Sequence, residues 1–71
     1  MELELKQKSR MSREAAAQRL HEIADELGSE NDIVLERDGA RLVAKVPDQV
    51  TLKLEFEVEG DETEFEIELT W

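Results

Sequence analysis

From Thr51 to Trp71 apolar residues take almost every second position, and those between them are mostly glutamate. Alternation with period two describes an antiparallel strand that buries one face and wets the other. It extends back to Asn31, and turn residues cut it into four strands. Asp38-Gly39 suits a two-residue type I′ hairpin, because both positions need positive φ. Counting outward from that turn pairs Leu35 with Leu42 and Ile33 with Ala44 on one face. The other face then sets Glu36 against Arg41 and Asp32 against Lys45, opposite charges directly across from each other.

The next turn falls at Val46-Pro47-Asp48-Gln49-Val50, where Pro47 presets φ and removes a ladder donor. With Val46 facing Val50, Ala44 meets Leu52, Leu42 meets Leu54 and Arg41 meets Glu55. Phe56 and Val58 continue the apolar face, Gly60-Asp61 marks the last turn, and Phe65, Ile67, Leu69 and Trp71 complete it. By that parity Trp71 is an inward core residue although it is the last one.

Residues 12–28 carry the helical pattern, with Ala16, Leu20, Ile23, Ala24 and Leu27 on one face. Ser12 is placed to cap its start, Glu14 favours the N-terminal dipole, and Gly28 is the expected left-handed stop. Glu2-Leu3-Glu4-Leu5-Lys6-Gln7-Lys8 also alternates and reads as a fifth strand. Antiparallel to the last strand it would bring Lys6 and Lys8 near Glu66 and Glu64; a parallel place beside the second strand gains no such match. The expected architecture is α+β: one domain over residues 1–71, ordered β-α-β-β-β-β, with the helix on the apolar face of a four- to five-stranded antiparallel meander.

Size and charge narrow the functional classes. A chain of 71 residues removes only about 60% of its unfolded surface from water, too little for an elaborate enzyme scaffold. A net charge of −10 disfavours broad contact with nucleic acid or an anionic membrane. There is no cysteine for a disulfide, a zinc ribbon or a thiol nucleophile. No stretch approaches a membrane span and the start has no leader pattern, so the expected location is the cytoplasm.

His21 and Asp25 fall on one helical face, but two ligands do not make a metal site. Glu59-Gly60-Asp61-Glu62 offers carboxylates without the spaced oxygens of a calcium loop and reads as a solvated turn. No catalytic set and no cofactor motif is present, so neither activity nor cofactor is expected. Lys6, Lys8, Arg10, Arg13 and Arg19 form a basic island near the helix N-terminus, where an anion or an RNA phosphate could dock. The plainer role of these cations is to neutralise the chain's own glutamates.

Charge asymmetry is the strongest signal. Residues 54–71 hold Glu55, Glu57, Glu59, Asp61, Glu62, Glu64, Glu66 and Glu68 and no basic side chain. Such a hairpin suits a saline cytoplasm, where ions screen like charges on neighbouring strands.

The helix opening Ser12-Arg13-Glu14-Ala15-Ala16, the Val46-Pro47-x-x-Val50 turn and the terminal strand Glu64-Phe65-Glu66-Ile67-Glu68-Leu69-Thr70-Trp71 resemble the amphi-Trp domain over nearly the whole chain. That resemblance implies a small archaeal or bacterial protein of a kind common in salt-loving archaea. It brings no activity with it.

The expected function is a non-catalytic, self-associating or protein-binding module with a surface adapted to high salt. Anion or nucleic-acid binding through Lys6, Lys8, Arg10 and Arg13 is the alternative. Five strands at about 4.8 Å spacing span roughly 24 Å, whereas one helix covers about 10–12 Å. Phe56, Phe65, Leu69 and Trp71 would therefore lie partly uncovered, and a homodimer that closes this face is expected.

Overall fold

Helix α1, Arg13–Asp25, begins where its cap residue directs. The Ser12 hydroxyl accepts the Ala15 amide at 3.1 Å, and the Ser12 carbonyl accepts the Ala16 amide at 3.0 Å. The structure is a computed structural model and describes residues 2–71. Its elements continue with a π-helical turn Glu26–Glu30 and strands β1 Asp32–Arg37, β2 Ala40–Lys45, β3 Thr51–Glu59 and β4 Glu62–Thr70. The class is α+β.

Two expectations about the first half of the chain need correction. Gly28 does not stop the helix: it lies inside the π-helical turn, and Asn31, with φ of 57°, supplies the left-handed residue. The wider turn is held by the Ser29 hydroxyl, which donates to the Asp25 carbonyl at 2.6 Å. The N-terminal alternation does not become a strand either, since residues 2–12 carry no regular structure. That segment runs beside β1 rather than β4. Gln7 Nε2 donates to the Glu36 carbonyl, and Arg37 Nη1 donates to the Lys6 carbonyl at 2.8 Å. Lys6 pairs with Glu4 at 3.2 Å, so it does not serve Glu66. One side chain from the segment, Gln7, and one from β1, Arg37, thus hold the two together without a ladder.

The first hairpin has the expected register. Asp38 and Gly39 have φ of 51° and 82°, and β1 pairs antiparallel with β2 as Asp32 with Lys45, Ile33 with Ala44, Leu35 with Leu42 and Glu36 with Arg41. Arg41 Nε donates to Glu36 Oε1 at 3.2 Å, and Lys45 Nζ reaches Asp32 Oδ2 at 3.5 Å. In the second hairpin Leu52 pairs with Leu69, Leu54 with Ile67 and Phe56 with Phe65. The two Phe rings lie 6.4 Å apart, tilted by 51°.

The expected single meander is not formed. β1-β2 and β3-β4 are separate two-stranded sheets, so the pairs Ala44–Leu52, Leu42–Leu54 and Arg41–Glu55 are not made within the chain. The Val46 amide donates instead to the Asn31 carbonyl at 2.9 Å, extending the first hairpin by one bond. Pro47 follows directly and pushes Val46 towards extended backbone. Beyond it the chain does not lay β3 along the free edge of β2.

No described residue is buried, and along β3 and β4 only Leu69 is as much as half-buried. Trp71 is 55% exposed and lies just past β4, so it is not an inward core residue of the single chain. Among the described residues, none buries its face of the hairpin. The radius of gyration is 13.9 Å, against about 11 Å for a compact domain of this length.

Candidate functional site

Two surfaces stand out, one apolar and one basic. On the second hairpin strand parity brings Leu52, Leu54, Phe56 and Val58 to the face shared with Phe65, Ile67 and Leu69. Leu54, Phe56 and Val58 are 59%, 68% and 63% exposed. Of the residues expected to associate, Phe56 and Phe65 face each other directly, Leu69 is set further along the same face, and Trp71 follows at its end. The opposite face sets glutamates against each other, Glu55 with Glu66, Glu57 with Glu64 and Glu59 with Glu62. Lys53, paired with Glu55 at 3.4 Å, is the hairpin's one cation.

The basic surface is a cleft of about 990 Å³. The N-terminal segment contributes Lys6, Lys8 and Met11, α1 contributes Arg19 and Ile23, and β1 contributes Leu35 and Arg37. Its lining mixes cations with apolar side chains, and no carboxylate is among the lining residues. Lys6, Lys8 and Arg19 of the expected island meet there, whereas Arg10 and Arg13 are not part of the lining. Arg13 instead pairs with Glu14 at 3.6 Å.

Arg37 was not legible as a member of this group. Its signal was parity: it is a cation carrying the register of Ile33 and Leu35, on the strand face that should be apolar. Among the described residues no three His, Asp or Glu side chains are grouped to hold a metal ion. His21 and Asp25 are both exposed. Gly60 has φ of 57° in the last turn, and Glu57, Glu59, Glu62 and Glu64 line a shallow cleft of about 260 Å³ beside it.

The chain combines a Ser12-capped helix with alternating strands that lead to Trp71, and one family model, the Amphi-Trp domain, matches residues 1–71. The chain belongs to the Amphi-Trp domain family. No curated protein and no solved structure matches it. Membership in the Amphi-Trp family covers both surfaces, since the match takes in the basic cleft and the terminal hairpin alike. No helix of the described residues is long and apolar enough to cross a membrane.

Proposed function

We propose that this Amphi-Trp domain is a non-catalytic self-association module, a homodimer closed through the apolar face of its second hairpin and carrying an acidic surface suited to a saline cytoplasm. One observation carries the reading. The single chain exposes 6673 Å², whereas a folded monomer of 8.2 kDa exposes about 4,500 Å². The excess is roughly 2,000 Å² per chain, or roughly 4,000 Å² for two, within the range of obligate homodimers. Apolar side chains contribute heavily to it, and large contiguous apolar patches are rare on soluble monomers.

Trp71 is the chain's single tryptophan, so its fluorescence reports on closure of this face. At high protein concentration its emission is expected to be blue-shifted, and dilution moves it to the red as the second copy leaves. Emission characteristic of a solvated indole at the highest concentration would overturn the reading.

A second reading rests on the basic cleft: anion or nucleic-acid binding through Lys6 and Lys8, joined by Arg19 and Arg37 rather than by Arg10 and Arg13. Salt-sensitive recovery of RNA by the immobilised domain supports it. Recovery unchanged between low and molar salt counts against it, because phosphate contacts release counterions.

A further inference from the structure

We infer that the dimer forms by reciprocal exchange: the β3-β4 hairpin of each chain docks on the partner's α1-β1-β2 unit and adds β3 to the free edge of β2. The inference rests on the self-association reading and specifies the occupant of the apolar face. Three observations lead to it.

Edges come first. β2 is paired only with β1, and β3 only with β4, so each carries one unpaired row of amide and carbonyl groups. Unpaired edges are templates for strand addition. The pairing of Leu42 with Leu54, Ala44 with Leu52 and Arg41 with Glu55 is chemically matched on both faces. Its absence within the chain leaves both sides available to a second copy. Exchange between chains restores every one of these pairs in the same register.

Charge is the second. Residues 51–71 carry eight acidic side chains against Lys53, whereas residues 1–45 carry ten acidic and eight basic, close to neutral. Two such hairpins packed face to face would bring both charge excesses together. Docking on the nearly neutral unit avoids this and places Glu55 beside the partner's Arg41. It also covers apolar surface on the first unit, where Leu20 is itself about half exposed.

The third is the hinge. Val46 is fixed by its bond to Asn31, and Pro47-Asp48-Gln49-Val50 is exposed and outside both sheets. Pro47 fixes its own φ and has no amide to donate to a sheet ladder. An exposed linker between two incomplete sheets is where a swapped dimer exchanges its parts, with the isologous symmetry of most homodimers.

The test uses the full chain, whose lack of cysteine leaves a clean background. Val43 and Lys53 would be direct partners in the inferred register, on the solvent side of the sheet, within the Cα separation a disulfide tolerates. Val43→Cys and Lys53→Cys chains are prepared separately, one isotope-labelled, then mixed, unfolded together, refolded and mildly oxidised. The expected product is a disulfide joining one Val43→Cys chain to one Lys53→Cys chain, with the mass doubled, and neither variant cross-linking by itself. A double variant carrying both cysteines gives a dimer linked twice.

Dimers by sedimentation without this heterodisulfide overturn the exchange and leave self-association standing. A double variant that closes its disulfide within one chain, at the mass of a monomer, overturns the exchange in favour of an intramolecular meander. Absence of any dimer removes both inferences together.

Discussion

At the scale of single residues the backbone separates two glycines that look alike in sequence. Gly39 has φ of 82° in the first hairpin turn, whereas Gly28 adopts no positive φ, and neither would bring an added methyl within 4 Å of another group. Backbone conformation alone therefore decides. Gly39→Ala is expected to destabilise by about 1 kcal/mol, through the left-handed penalty of an L-residue. Gly28→Ala is expected to stabilise by roughly 0.5–1 kcal/mol, by restricting the unfolded chain. Urea unfolding of both variants checks the pair, and a loss at Gly28 like that at Gly39 would restore Gly28 as the helix stop. Trp71 poses a different question, because its side chain is more than half exposed in the single chain. If its role is to contact a second copy, Trp71→Ala weakens dimerisation by about 30-fold or more, the effect of losing an interface hot spot. A dissociation constant unchanged by the substitution would make it a surface residue.

Elements differ in how far local sequence determines them. The β1-β2 hairpin was legible down to its register, because Asp38-Gly39 dictates the turn and the pairs Glu36–Arg41 and Asp32–Lys45 select the same alignment. For the second hairpin, alternation and Gly60-Asp61 placed its strands and separated its faces. The expected pairing of β2 with β3 is not made within the chain, since period two says which face a residue takes and nothing about which edge lies alongside. The N-terminal alternation failed for a related reason: Leu3 and Leu5 have the parity of a strand, but Gln7 and Arg37 tie the segment to β1 by side-chain bonds alone. Part of the basic cleft was visible as Lys6, Lys8 and Arg19. Arg37 was hidden because fold, not sequence proximity, brings it there.

Charge acts at the same scale. Glu55–Glu66, Glu57–Glu64 and Glu59–Glu62 set like charges directly across the second hairpin, each disfavoured by roughly 0.2–1 kcal/mol. In 1 M salt the Debye length falls to about 3 Å and this repulsion is screened. The melting temperature is therefore expected to rise from low to molar salt. Glu57→Lys, which turns one repulsive pair into an attractive one, should raise the low-salt melting temperature by roughly 2–8 °C and flatten its dependence on salt. A parent curve that is flat or falls with salt removes the case for a saline habitat.

For the whole molecule, surface and shape lead to one conclusion. The chain has no buried residue among those described, and its radius of gyration of 13.9 Å exceeds that of a compact domain of its length. Small domains are marginally stable even when well packed, and hydrophobic burial is their main favourable term. An apolar hairpin face that no described residue of its own chain buries supplies little of that term to a monomer. In the proposed homodimer, closure by a second copy would supply it, while the glutamate faces stay in water. Sedimentation equilibrium at micromolar protein and molar salt measures this directly. The account predicts a mass of two chains, and a single species at the 8.2 kDa of one chain would contradict it.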